Sequence, residues 1–149
     1  MNASTSRTWT AAVAVAAATT AVNVGIHAAL TPMHLEEMPY IGVLFILGNV
    51  AVVASFILIV IRRTRLLGWA LAAATSAAEI GAFLASRTIG LPHGYKETWS
   101  LATENVLGYV CVVVEAVTIT VALAQLLRAR AASGNVAQPI PSMALGARS

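Results

Sequence analysis

Four long apolar stretches, separated by short polar connections, constrain this chain more than any other feature. They run over about residues 8–30, 40–61, 66–86 and 104–127, and each is 20 residues or longer. A helix of about 20 residues crosses the roughly 30 Å hydrocarbon core of a bilayer. Because backbone groups in lipid must hydrogen-bond within the protein, each stretch predicts one transmembrane helix.

The composition supports a membrane environment and a single compact arrangement of the helices. The 149 residues are 58% hydrophobic and 10% charged, whereas soluble domains carry about 25% charged residues. Short connections make successive helices antiparallel neighbours. We therefore predict an all-α integral membrane four-helix bundle, up-down-up-down, over residues 1–131. Pro and Gly without periodicity predict a disordered cytoplasmic tail over residues 132–149.

The first apolar stretch also has features of a signal peptide. Arg7 precedes an Ala-rich run, and cleavage after Ala28 or Ala29 would remove His27. The run is long for the apolar region of a signal peptide and is rich in Ala and Thr. We expect it to be retained as a membrane helix.

The distribution of Lys and Arg predicts the orientation in the membrane. Three arginines stand within four residues between the second and third stretches, and the first connection, residues 31–39, has none. Cytoplasmic loops carry the excess of positive charge. We expect a multi-pass protein of the cytoplasmic (inner) membrane with both termini cytoplasmic. The positive residues at the inner side are Arg7, Arg62, Arg63, Arg65, Arg128 and Arg130.

Two glutamates fall inside the predicted helices, where a carboxylate is costly and marks a functional site by default. Glu115 lies near mid-membrane on a polar face of the fourth helix, which also carries Glu104 and Cys111. Glu79 lies on the third helix, about 10 Å below the outer interface at 1.5 Å per residue.

The other two helices add polar groups at similar depth, namely Asn23 and His27 on the first and Asn49 on the second. One interpretation is an outward-open cavity for a metal ion, a proton or a small polar solute. The alternative is hydrogen bonding between helices, or a buried Glu–His or Glu–Arg pair that fixes helix register.

The outer connections add further candidate ligands. His34 and Glu36 lie in the first connection, which Pro32 is expected to open by ending helix one, and His93 and Arg87 lie in or beside the third. Imidazole with carboxylate suits copper, zinc or iron. Haem is disfavoured because no two histidines face each other within the membrane core.

The sequence contains no sign of catalysis or of nucleic-acid binding. Ser86 and Ser100 lack the Gly-flanked elbow of a hydrolase nucleophile, and no phosphate-binding glycine loop is present. Cys111 is the only cysteine, so no intrachain disulfide can form. We predict no catalytic residues and no nucleic-acid partner.

The connections also carry a resemblance. His34-Leu-Glu-Glu-Met-Pro39, with Ser86-Arg-Thr-Ile-Gly-Leu-Pro92 and Trp99 later in the chain, resembles a group of small four-helix membrane proteins of actinobacteria. The resemblance covers the four helices and both outer connections. It implies a fold and a membrane location, and it implies no activity, cofactor or site residue.

These observations lead to one function hypothesis and two rivals. The first is an outward-facing His/Glu site that binds a metal ion, a proton or a small polar solute. The rivals are a non-catalytic accessory subunit, docked on a membrane-protein partner or on a second copy, and a membrane oxidoreductase. The predicted site comprises His27, His34, Glu36, Glu79, His93 and Glu115, supported by Asn23, Asn49, Arg87 and Glu104.

Overall fold

The chain forms four α-helices that pack as an up-down-up-down bundle, as predicted. The computed structural model describes residues 3–136, and the side chains of residues 8–133. Each helix packs on the next one along the chain, and the first also packs on the fourth, so the four close into a ring. The helices are α1 (Ala3–Glu37), α2 (Pro39–Val60), α3 (Arg65–Arg87) and α4 (Thr103–Val136).

All four helices are long and apolar enough to cross a bilayer, so this is a multi-pass membrane protein. Their outer surfaces carry large apolar side chains, and on α2 Leu47 and Val50 are 58% and 61% exposed. Such surfaces suit lipid and would be unfavourable in water. The polar side chains of the bundle are correspondingly turned inwards.

The predicted end of the first helix was wrong. α1 continues through Pro32 to Glu37, so the expected nine-residue connection is a joint at Met38. The amide of Met38 still donates to the carbonyl of His34 at 2.9 Å. His34 is therefore a helix residue, 5% exposed, and not a loop residue.

Two local features account for the continuation of α1 past Pro32. Proline removes one backbone donor, here the one that would reach the carbonyl of Ala28, and a membrane helix tolerates this loss. In the same turn the Thr31 hydroxyl donates to the neighbouring carbonyl of His27 at 2.6 Å. Beyond the proline, Leu35 packs where a Cβ on Gly42 would lie 2.4 Å from its Cγ. The glycine lets the first turn of α2 pack directly on the last turn of α1.

The fourth helix is also longer than predicted. It extends to Val136, so residues 132–136 of the predicted tail are helical. The remainder of that tail, residues 137–149, lies outside the described residues.

The two ends of the bundle differ in construction. At one end, called the turn end, residues 61–64 join α2 to α3, and Trp69 is fully buried. There the Arg65 guanidinium lies 3.3 Å from the centre of the Trp9 ring. At the other end, called the segment end, residues 88–102 join α3 to α4.

The α3–α4 segment, residues 88–102, folds back onto the bundle. Gly90 and His93 have φ of +84° and +61°, which turn the chain so that Leu91 pairs with Tyr95. The Tyr40 hydroxyl donates to the carbonyl of Pro92 at 2.6 Å, which ties the segment to α2. The segment thus covers part of the bundle interior at this end.

Candidate metal centre

Three helices bring ionisable side chains together in the middle of the bundle. His27 of α1 lies between two glutamates, with Nδ1 3.8 Å from Glu79 Oε1 and Nε2 4.0 Å from Glu115 Oε1. Glu115 is 2% exposed and His27 is 8% exposed. Glu115 stands 12 residues into α4, about 18 Å along the axis at 1.5 Å per residue, close to mid-membrane.

Asn23, one turn before His27, connects the two carboxyl groups. Its amide nitrogen donates to Glu79 Oε2 at 3.3 Å and to Glu115 Oε1 at 3.0 Å. Among the side chains of residues 8–133, no Lys or Arg forms an ion pair with either glutamate. Two carboxylates sharing one neutral donor in a buried site are incompletely compensated.

Several polar atoms in this region have no hydrogen-bond partner. They are Asn23 Oδ1, His27 Nδ1 and Glu79 Oε1, all buried. Buried polar groups in native proteins are nearly always paired. Unpartnered atoms clustered around two carboxyl groups indicate a site that is completed by a ligand.

Gly48 of α2 allows the Glu79 carboxyl group to lie beside His27. A Cβ at Gly48 would lie 2.6 Å from Glu79 Oε1 and 3.9 Å from His27 Nδ1. The absence of a side chain therefore leaves room for the Glu79 carboxyl group. The second helix contributes space to the centre, while the other three contribute its polar side chains.

A metal-ligand set is present within this cluster. One ligand atom each of His27, Cys111 and Glu115 lies within 4.8 Å of the other two, and all three residues are buried. Zinc bonds of about 2.0–2.3 Å place tetrahedral ligand atoms roughly 3.3–3.8 Å apart. The set is therefore close to the size of a metal-binding site, and small side-chain movements would complete it.

The two faces of the histidine ring suit such a site. Nε2 points towards Glu115, and Nδ1 points towards Glu79. In metal sites the nitrogen that does not bind the ion commonly faces a carboxylate, which fixes the ring and its tautomer. Glu79 is placed for that orienting role. We call His27, Glu79, Cys111 and Glu115, with Asn23, the deep centre.

A cavity of about 410 Å³ connects the deep centre to the segment end. The ligands Cys111 and Glu115 line its base, and Phe45 and Phe83 line its middle. At the segment end its lining includes the exposed side chains of Glu37, Lys96 and Glu104. Five glutamates and two basic residues line this first cavity in all, an excess of acidic groups that favours cations.

A second polar cluster lies above the deep centre, around Arg87. The guanidinium forms an ion pair with Glu97, and it donates to Asn105 Oδ1 at 2.8 Å and to Ser86 Oγ at 3.0 Å. The Glu97 carboxylate also accepts from the Tyr95 hydroxyl, which lies 3.4 Å from His34 Nδ1. We call Arg87, Glu97, Asn105, Tyr95 and His34 the Arg87 network.

Burial and the Glu97 carboxylate both affect the pKa of Tyr95, and they shift it in the same direction. Desolvation first, and then the hydrogen bond to Glu97, raise the pKa of Tyr95 above its ordinary value. The phenol therefore stays protonated and keeps donating to Glu97. This contact orients the Glu97 carboxylate, whose ion pair with Arg87 holds the α3–α4 segment against α3.

The structure brings some of the predicted site residues together and separates others. His27, Glu79, Glu115 and Asn23 meet in the deep centre, and Glu104 lines the cavity nearer the segment end. His34 lines the same cavity nearer the segment end. The Phe45 ring packs between the two histidines, with its centre 4.6 Å from that of His34 and 4.8 Å from that of His27.

Three predicted residues lie apart from the centre. Glu36 is exposed and does not line the first cavity, where Glu37 does. His93 is exposed in the turn of the α3–α4 segment and packs against the Tyr40 ring at 5.6 Å. The Asn49 Oδ1 atom is buried without a partner, but its side chain lines neither cavity described here.

Sequence reasoning missed one ligand and most of the Arg87 network. Cys111 was placed on the polar face of helix four without a role, although its spacing of four residues from Glu115 puts the two on one face. The sequence analysis gave neither Glu97 nor Asn105 a role. Arg87 forms an ion pair with Glu97 and a hydrogen bond with Asn105.

Comparison with known proteins adds no further assignment. No family model, curated protein or solved structure matches the chain, so its resemblance to actinobacterial membrane proteins stays a prediction.

Proposed function

We propose that this protein binds a divalent transition metal ion at His27, Cys111 and Glu115, with Glu79 orienting the histidine. The observation that carries the proposal is the buried His/Cys/Glu set, whose ligand atoms lie within 4.8 Å of one another at the base of an acidic cavity. Mixed nitrogen, sulfur and oxygen ligands favour zinc, with copper and iron as the next candidates.

We further propose that the first cavity opens to the outside of the cytoplasmic membrane and that both termini are cytoplasmic. The support is the charge distribution: Arg62, Arg63 and Arg65 lie at the turn end, opposite the cavity mouth. Positive charge concentrates on the cytoplasmic side of membrane proteins. An ion would then reach the centre from outside, drawn by the acidic lining.

Metal analysis of the purified full-length protein tests the binding proposal. We expect one zinc ion per chain in detergent, and for His27→Ala and Cys111→Ser an affinity lower by about 10- to 100-fold or more. His93→Ala is the matched control, because that histidine is exposed and remote from the centre. It should bind zinc as the wild type does.

Cobalt supplies an independent test of the sulfur ligand. Cobalt(II) bound to a thiolate gives a charge-transfer band in the near ultraviolet, which we expect in the wild type and not in Cys111→Ser. A wild-type protein that binds neither zinc, copper, iron nor cobalt would overturn the proposal. The proton-site, small-solute, accessory-subunit and oxidoreductase alternatives would then stand ahead of it.

A further inference from the structure

A second, smaller cavity lies on the turn-end side of the deep centre. It measures about 20 Å³, close to the space that one water molecule or one dehydrated ion needs. Asn23 forms part of its wall, while the amide of that same residue donates to both glutamates of the centre. Asn23 therefore stands between the deep centre and the second cavity.

All four helices contribute hydroxyl groups to this cavity, two from α1 and one from each of the other helices, and we call the five the hydroxyl ring. Three of them lie three residues from a member of the deep centre on the same helix, which is one turn towards the turn end. The other two are a neighbouring hydroxyl of α1 and one of α2. The hydroxyl ring consists of Thr19, Thr20, Ser55, Ser76 and Thr118.

The hydrogen bonds of the ring determine which ligand it suits. The Ser55 hydroxyl donates to the carbonyl of Ala51 at 2.7 Å, and the Thr118 hydroxyl donates to the carbonyl of Val114 at 3.0 Å. Because their hydrogens are used within their own helices, these hydroxyls offer oxygen lone pairs to other partners. Asn23 adds the buried, unpartnered acceptor Oδ1. Acceptor oxygens suit a cation and disfavour an anion.

The far end of the second cavity is closed by apolar packing. Trp69 and Ile59 line it there and are 0% and 2% exposed, and the Trp69 Nε1 atom has no partner. The deep centre is thus reached by the first cavity from the segment end, and it is separated from the turn end by Asn23, the hydroxyl ring and Trp69. The deep centre is therefore accessible from the segment end and closed towards the turn end.

We infer that the protein transports the divalent cation, which leaves the deep centre past Asn23 and through the hydroxyl ring towards the turn end. The inference rests on the proposed metal site. A site built only to hold an ion has no need of five hydroxyls and an unpartnered amide oxygen on its closed side. Passage requires a rearrangement at Trp69, because the second cavity admits no hydrated ion.

Proteoliposomes containing the full-length protein and an enclosed zinc-sensitive dye test this inference. Zinc is added outside, with potassium and valinomycin to clamp the membrane potential. We expect uptake well above that of protein-free vesicles. Thr118→Val and Ser76→Ala should each lower the initial rate at least fivefold while leaving the dissociation constant for zinc, measured in detergent, within twofold of the wild type.

Thr120→Val is the matched control for Thr118→Val. Both hydroxyls donate to the carbonyl four residues earlier, at 2.8 and 3.0 Å, but Thr120 is exposed on the outer surface of α4. Its variant should transport at the wild-type rate. Val has the shape of Thr, so either variant is expected to fold.

The possible failures are distinguishable. Stoichiometric zinc binding without uptake by the wild type would overturn transport and leave the metal site standing. Wild-type uptake that is unchanged in both Thr118→Val and Ser76→Ala would overturn the route through the hydroxyl ring. Absence of zinc binding in detergent would remove the metal site, and the inference with it.

Discussion

The deep centre and the Arg87 network occupy the same bundle, contain similar side chains and are completed in opposite ways. In the network the buried Arg87 guanidinium and the partly buried Glu97 carboxylate are surrounded by Asn105, Ser86 and Tyr95, so most polar atoms other than Arg87 Nε have partners. In the centre two carboxyl groups face each other across one amide and one imidazole. A satisfied network stabilises the fold, whereas an unsatisfied cluster of acceptors indicates a ligand.

The largest expected effect comes from breaking the satisfied cluster. Arg87→Met leaves Glu97 and Asn105 without their buried partner. Because the Glu97 side chain is 26% exposed, we take the cost at the lower end of the range for buried ion pairs, about 3 kcal/mol. We expect the free energy of unfolding in detergent to fall by that amount. Arg63→Met, at an exposed position of the α2–α3 turn, is the control. Equal stability of the two variants would show that the network is not structural.

Replacing a charged residue by an apolar one in the deep centre should not lower the free energy of unfolding. Glu115→Leu removes a buried carboxyl group that has no Lys or Arg partner among the described side chains and lies 4.0 Å from the His27 imidazole. Burial of such an incompletely compensated polar group costs free energy that an apolar side chain does not. We expect the metal-free variant to unfold no more easily than the wild type. Its zinc affinity should fall on the order of 100-fold, since a ligand is lost.

Unfolding in detergent with and without zinc measures both effects of Glu115→Leu. Zinc should stabilise the wild type and leave the variant unchanged, because a ligand that binds only the folded state raises its stability. A strong loss of stability in the metal-free variant would contradict the comparison. The deep centre would then be a register-fixing polar contact, as the alternative sequence interpretation holds.

A smaller effect tests the space that α2 leaves for the centre. Gly48→Ala introduces a methyl group 2.6 Å from Glu79 Oε1, so the carboxyl group must move away from His27. We expect zinc affinity to fall about 10- to 100-fold, as for other losses of a group that orients a ligand. Gly25→Ala is the matched control, because nothing lies within 4 Å of its Cβ position.

The two glycine variants should also differ in stability. Gly25→Ala should stabilise α1 by about 0.5–1 kcal/mol through the better helix propensity of Ala, with unchanged zinc affinity. Equilibrium dialysis and unfolding in detergent measure both quantities. Equal zinc affinity of Gly48→Ala and the wild type would show that Glu79 does not orient the metal ligand.

The fold was predictable from the sequence because lipid leaves the backbone few choices. Runs of apolar residues of the right length specify helices wherever they occur, and short connections specify antiparallel neighbours. The helix ends were less predictable. Proline commonly marks a helix end, but α1 continues through Pro32 because Leu35 packs on Gly42. That packing joins residues of different helices and has no local sequence signal.

The candidate site was predictable in its depth and in part of its membership. Buried glutamates are costly, so Glu79 and Glu115 could be found from cost alone. Cys111 carries no such cost and behaves as a small apolar residue, and only its position beside two ligands gives it a role. The opposite error concerns His93, which was predicted as a ligand from its residue type but is exposed and remote from the centre.

The smallest expected effect concerns the hydrogen bond between Tyr95 and Glu97 within the α3–α4 segment. Tyr95→Phe keeps the ring and removes the hydroxyl group that donates to Glu97, a loss of about 1 kcal/mol in the free energy of unfolding at neutral pH.

The pH dependence of this loss follows from the pKa of Tyr95, which burial and Glu97 raise in the folded protein. The contribution of the hydroxyl group to stability is therefore complete below the ordinary tyrosine pKa of about 10. Above that pH the unfolded chain loses the proton while the folded protein keeps it. The stability of the wild type relative to Tyr95→Phe should therefore decline by up to about 1.4 kcal/mol per pH unit. Unfolding in detergent between neutral and alkaline pH measures this difference, and a difference that stays constant above pH ~10 would show that Tyr95 ionises normally and lies free of Glu97.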